Sequence, residues 1–175
     1  MHLIPKLQGR VIAVKQSVLL RPDADLFWIG GEGMEELVIP LVPKFTGQYV
    51  AVRGKSCPSL GTTVQRLGRT KDHTKLPAMS THVGGYDSGT SAISIAYHFG
   101  VAECVLLGYD MKGGRWFNGE IDHPMPMPPQ SQFDGHMRPL AGLNEDCLAK
   151  GMRVINCSPD SAVTAFEKRP LESFL

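Results

Sequence analysis

The sequence predicts a single-domain α/β fold of the doubly wound, Rossmann-like type, with a mainly parallel sheet and helices on both faces. Strand-like and helix-like segments alternate along the 175 residues, which favours parallel neighbours joined by right-handed crossovers. The run ECVLLGYD (103–110) is almost continuously apolar, as parallel strands covered on both faces are. No repeat or linker divides the chain, so we expect residues 1–175 to form one domain.

The first half of the chain contains three strand candidates, RVIAVKQS (10–17), DLFWIGG (25–31) and QYVAVRGK (48–55). Each is rich in β-branched or aromatic residues. Pro40 and Pro43 limit any helix within 32–45 to two or three turns. Residues 56–83 give a weak signal, from which we predict one short helix around Thr62–Leu67.

The second half gives clearer signals. Asp87 or Ser88 is placed to cap a helix with a broad apolar face, and Gly100 suits a left-handed end to it. After the strand at 103–110, residues 111–139 predict a long irregular lid loop, because prolines and paired glycines interrupt them. A last helix over Leu140–Lys150, with Gly151 as its cap, leads to the strand RVINCS (153–158).

The composition excludes several classes of protein. Hydrophobic residues make up 42% and charged residues 20%, and the net charge is +1, so neither nucleic acid nor a membrane is an expected partner. The densest basic group looks like a solvated loop or helix face; it consists of Arg66, Arg69, Lys71 and Lys75. The cysteines show no CxxC pair and there is no signal-peptide pattern, which favours a cytoplasmic location.

The candidate site lies where strands end. Ser88, Gly89 and Thr90 open a helix, and a helix N-terminus can bind phosphate, although a plain helix cap explains the same residues. Asp110 ends the following strand and could accept hydrogen bonds from a ribose, hold a metal or cap a turn. Both features should meet at one rim of the sheet. The polar run 156–161 leaves a later strand at that rim, as supporting structure or as a turn.

The lid region carries two histidines next to acidic residues, in Asp122-His123 and Asp134-Gly135-His136. Histidine titrates near neutrality and is the usual general base, but a solvated loop histidine is more common. A metal site from this region together with Asp110 matches no strong ligand spacing. Trp116 and Phe117 could stack on a base or pack in a core.

The combination of motifs resembles a prokaryotic and phage family. That family is related to archaeal 6-hydroxymethylpterin diphosphokinases and, more distantly, to bacterial sialyltransferases that use CMP-sialic acid. The segments that carry the resemblance are GRVIAVKQSVLLRPDADLFWIGG, YDSGTSAISIAYHFGVAECVLLGYDM, DGHM and RVINCSPDSAVTAF. Lys15 stands at the position where the family has an asparagine. The family also has an N-terminal GxGPSL-like turn that binds phosphate, and this sequence shows no counterpart of that turn.

The resemblance implies a transferase-like domain with a nucleotide or nucleotide-sugar as its ligand. Ser88 and Gly89 would then lie against phosphate and sugar, and Gly108 and Asp110 would line the nucleoside pocket. His136 would deprotonate the acceptor hydroxyl, without a metal or other cofactor. Two alternatives stay open: Mg²⁺-dependent pyrophosphoryl transfer to a pterin-like alcohol, with Asp110, Asp122 and His123 as metal ligands, and a non-catalytic, phage-derived binding module. The lid could also be held by a second copy of the chain, so a homo-oligomer is a further expectation.

Overall fold

The computed structural model describes residues 9–30, 39–41, 45–52, 64–112 and 128–175. Within them, eight strands form two parallel sheets, and three α-helices pack against the sheets. The α/β class with parallel strands is therefore confirmed. The strands are β1 (Ile12–Val14), β2 (Leu26–Ile29), β3 (Gln48–Val52), β4 (Gln65–Arg69), β5 (His82–Val83), β6 (Glu103–Leu106), β7 (Arg153–Asn156) and β8 (Glu167–Lys168).

The first sheet runs in chain order from β1 to β5, and the second runs from β6 through β7 to β8. Each neighbouring pair is parallel, with Val14 opposite Trp28 and Leu106 opposite Asn156 as examples of the register. The reversal of strand order that defines a doubly wound sheet is not seen among these strands. The Rossmann-like arrangement thus stays a prediction.

The α-helices are α1 (Ser88–His98), α2 (Gln130–Met137) and α3 (Leu140–Ala149). Short 3₁₀ helices cover Lys15–Leu19, Ile39–Leu41 and Leu171–Phe174. Gly100 and Gly151 follow α1 and α3 with φ angles of +73° and +79°, the left-handed conformation that ends a helix at glycine. The predicted ends of these two helices agree with the structure.

Helix α1 lies between two cores. Its residues Ala92 and Ile95 pack with Trp28 and Val50 on one face of the first sheet. On the opposite side, Ile93 belongs to a core formed with α3 and the second sheet. Residues 90–96 are all buried as a consequence, and the helix joins the two sheets.

Three predicted elements need correction. The helix expected around Thr62–Leu67 is wrong, because Gln65–Arg69 form β4 between β3 and β5. The region 111–139 was expected to be irregular, but it contains helix α2. This helix begins directly after Pro129, and no proline lies within it. Strand β6 ends at Leu106 rather than 110 and is half-buried, because it is the outer strand of its sheet. The helix considered within 32–45 falls mostly outside the described residues, and only the 3₁₀ turn Ile39–Leu41 is seen there.

Candidate functional site

The site is built around Asp87, the N-cap of α1, on the side where the strands of the first sheet end. Its carboxylate accepts hydrogen bonds from the backbone N–H groups of Gly89 and Thr90, at 2.7 and 3.1 Å. The Thr90 hydroxyl closes the capping box with the backbone of Asp87. Aspartate is a favoured N-cap because it satisfies N–H groups that have no partner within the helix.

Tyr109 connects this cap to the second sheet. Its hydroxyl donates to Asp87 Oδ2 at 3.0 Å, and its ring lies against Gly89, where an added Cβ would be 2.5 Å from Tyr109 Cε2. Burial and the Asp87 charge raise the pKa of the Tyr109 phenol, so it remains a proton donor at neutral pH. Ser88 and Gly89 were expected to meet Asp110 at one rim; the residue that contacts the start of α1 is Tyr109, the neighbour of Asp110 in the chain.

A buried polar network fixes the backbone of Tyr109. Asn156 and Ser161 both donate to its carbonyl oxygen, at 3.0 and 2.7 Å, and its N–H donates to the Ser158 hydroxyl at 3.1 Å. The Ser158 N–H in turn donates to the Asn156 side chain. The polar run after β7 thus supports the site, which was one of the two roles considered for it.

Gly108 and Asp110 flank Tyr109 on the surface. Gly108 has a φ angle of +68° and open space where a Cβ would lie. Asp110 is exposed, and its backbone carbonyl accepts a hydrogen bond from Ala162. No described residue makes a hydrogen bond to its carboxylate, which leaves both carboxylate oxygens able to accept from a ligand.

Two cations stand near Asp87. Lys15 follows β1 directly, and Arg69 ends β4 and donates from its guanidinium to the carbonyl oxygen of Gly30. Burial lowers the pKa of both side chains, while the Asp87 carboxylate acts in the opposite direction. Arg69 was expected on a solvated loop or helix face; it is exposed, as expected, but it is the last residue of a strand and not part of a loop or helix. Lys15 also has a φ angle of +51°, a left-handed conformation that strains a residue with a Cβ.

Trp28 lies in the floor of this region. The side chain is fully buried, and its indole Nε1 has no hydrogen-bond partner among the described residues, which is rare for a buried N–H. A Cβ placed on Gly30 would be 2.9 Å from Trp28 Nε1 and 2.5 Å from Ser88 Oγ. These two donors therefore converge on the same face of Gly30.

His136 is on α2 and approaches the rim through aromatic contacts. Its ring centroid is 5.1 Å from that of Tyr86, which lies two residues before Ser88. Tyr86 also contacts His73 edge-on at 4.9 Å, and Phe133 lies 6.5 Å from His136. The Nδ1 atom of His73 is buried and has no hydrogen-bond partner among the residues that are described. The sequence-predicted histidine thus contacts Tyr86, which lies two residues before the first residue of α1.

The remaining candidates are not brought into this geometry. Thr90 is buried and its hydroxyl is engaged in the cap. Asp122, His123, Trp116 and Phe117 lie outside the described residues. Among the residues that are described, no cluster of three or more His, Cys, Asp or Glu side chains could hold a metal ion. No helix in the same part of the chain has the length and apolar character needed to cross a membrane.

Sequence reasoning missed four residues of this site: Lys15 as a cation at the rim, Arg69, Trp28 and Tyr109. Lys15 and Arg69 follow or end strands, so correct strand ends would have revealed them. Comparison with protein-family models, curated proteins and solved structures found no match for this chain.

Proposed function

We propose that the chain is a transferase-like domain that binds a nucleotide or a nucleotide-sugar beside the start of α1. The observation that carries the proposal is the convergence of Lys15 and Arg69 near Ser88 and Gly89, on the side where parallel strands end. Ligands of parallel α/β sheets bind outside the carboxyl ends of the strands. Two cations close to each other favour a phosphate-bearing ligand.

The nucleoside part of the ligand is assigned to the segment that Tyr109 anchors. The carboxylate of Asp110, to which no described residue forms a hydrogen bond, suits ribose hydroxyls, which donate hydrogen bonds to acidic residues at strand ends. Gly108 leaves the backbone open to close approach, since no atom lies within 4 Å of its would-be Cβ. Tyr86 is 53% exposed and offers a ring for stacking against a base or sugar.

Glycosyl transfer is the reaction that we assign to this arrangement, with His136 as general base. As the acceptor oxygen bonds to the anomeric carbon, its proton passes to the imidazole. The bond from that carbon to the phosphate breaks, and the phosphate leaves with the electron pair. Lys15 and Arg69 would stabilise the negative charge on the leaving phosphate. His136 stands close enough to Tyr86, and through it to the α1 start, to support this role.

Isothermal titration with CMP, CDP, UDP, ADP, GDP and a CMP-sugar tests the proposal. We expect binding of at least one nucleotide, weakened about tenfold or more by Arg69→Gln because a charge-assisted contact is lost. Arg153→Gln is the matched control, since Arg153 pairs with Glu103 on the second sheet and should leave affinity unchanged. Absence of binding by all six compounds up to millimolar concentration would contradict the proposal.

The catalytic part needs a separate measurement. His136→Ala should abolish transfer from the CMP-sugar and leave the affinity for CMP within about twofold. Retention of turnover in this variant would exclude His136 as the general base. The proposal that the chain binds a nucleotide would not be affected by that result. The same assay with EDTA distinguishes sugar transfer, which we expect to continue, from a Mg²⁺-dependent pyrophosphoryl transfer.

A further inference from the structure

The first turn of α1 is already occupied by a carboxylate. Asp87 accepts from the Gly89 and Thr90 N–H groups and from the Tyr109 hydroxyl. A phosphate at the usual helix N-terminal position would compete with this cap and meet a like charge. An anionic ligand therefore requires other donors at the same rim.

Such donors are present around Gly30. The Trp28 indole N–H is fully buried and has no acceptor in the part of the chain that the structure describes, and Nε1 lies 2.9 Å from the position that a Gly30 Cβ would take. The Ser88 hydroxyl lies 2.5 Å from the same position and makes no hydrogen bond to any residue in the described ranges. Arg69 uses one donor on the Gly30 carbonyl and retains others, because guanidinium carries five N–H groups.

We propose that Trp28, Ser88, Arg69 and Lys15 form an oxyanion subsite over Gly30 that takes a phosphoryl oxygen of the ligand. A neutral indole N–H and a hydroxyl supply direction, and the two cations supply charge. Gly30 is required because a Cβ would lie 2.5 Å from Ser88 Oγ and 2.9 Å from Trp28 Nε1, too close for the two donors to keep their positions. The inference rests on the proposed function only in taking the anion to be the phosphate of a nucleotide.

The indole N–H provides a readout that is independent of activity. The chain has two tryptophans, Trp28 and Trp116, so a ¹⁵N spectrum contains two indole cross-peaks, and Trp116→Phe assigns them. Inorganic pyrophosphate and CMP should move the Trp28 cross-peak downfield as an acceptor oxygen arrives. Uncharged cytidine should not move it, because it lacks the phosphoryl group.

Two variants test the geometry. Gly30→Ala should weaken pyrophosphate binding at least tenfold, and Gly135→Ala, whose added Cβ meets nothing within 4 Å, is the control that should not. Trp28→Phe should weaken it about tenfold through loss of one donor. If Trp28→Phe fails to fold, the spectra of the wild-type chain still decide the question.

The outcomes separate this inference from the proposed function. Nucleotide binding with an unmoved Trp28 cross-peak would overturn the subsite and leave the nucleotide proposal standing. A Trp28 response to pyrophosphate, with no nucleotide binding more tightly than pyrophosphate, would support the subsite and contradict the nucleotide proposal. Absence of any binding, by pyrophosphate or by a nucleotide, in both the titration and the spectra would overturn both.

Discussion

Replacing Tyr109 by phenylalanine removes one hydroxyl and keeps the ring. The lost interaction is a 3.0 Å hydrogen bond to the Asp87 carboxylate, and the tyrosine is 9% exposed. Hydrogen bonds to charged groups contribute about 1.5–3 kcal/mol. Asp87 keeps the two backbone N–H groups and the Thr90 hydroxyl as partners, so the carboxylate is not left unsatisfied. We therefore expect the free energy of unfolding to fall by about 1.5 kcal/mol, near the low end.

Urea denaturation followed by circular dichroism measures this change. Tyr97→Phe is the matched control: the Tyr97 hydroxyl has no hydrogen bond to the described residues, so its removal should alter stability by less than about 0.5 kcal/mol. A double-mutant cycle with Asp87→Asn should give a coupling energy of about 1 kcal/mol or more. A Tyr109→Phe variant as stable as wild type, or a coupling energy near zero, would refute the reasoning that Tyr109 holds the cap.

Three further predictions concern other positions. Gly89→Ala should destabilise by about 1 kcal/mol, as measured by urea denaturation, because overpacking against Tyr109 exceeds the gain in helix propensity. Gly135→Ala, in open space on α2, should instead stabilise by about 0.5–1 kcal/mol, and equal effects at both positions would contradict the packing argument. Lys15→Gly should raise the thermal midpoint by relieving the +51° φ angle, a net gain of about 0.5–1 kcal/mol after the entropy of glycine, while weakening pyrophosphate binding; a lowered midpoint would contradict the strain. Burial opposes ionisation of Asp146, but its bonds with Lys150 and the Leu76 N–H prevail and lower its pKa. The stability that it contributes is present above the unfolded pKa of about 3.9 and is lost as pH falls through the lower folded value. The stability difference between wild type and Asp146→Asn should therefore be constant from pH 6 to 8 and shrink below pH 4.

The parts of the fold that the sequence predicted are those with strong local signals. Helix α1 has a capping aspartate, an apolar interior and Gly100 at its end, and each of these acts over a few residues. Strand β4 failed for the opposite reason. In Gln65–Arg69 only Leu67 and Gly68 are buried, so the pattern lacks an apolar run, and its strand character comes from pairing with β3 and β5.

The site was predictable to a similar degree. The expectation that Ser88, Gly89 and Asp110 share one rim rests on parallel topology, which a sequence can indicate. The role of Tyr109 does not, because it depends on a buried contact with Asp87 across 22 positions of the chain. Likewise, the convergence of Trp28 and Ser88 on Gly30 depends on how α1 packs on the first sheet, which no local pattern encodes.

The placement of α1 between two cores has a consequence for motion at the rim. Ala92 and Ile95 contribute to one core, and Ile93 contributes to the other. Melting the helix would expose apolar surface on both sides at once, so its amides should exchange with solvent only when the whole domain opens. The Ser88 hydroxyl at the start of α1 is consequently held in position before any ligand arrives, and little ordering entropy remains to be lost on binding.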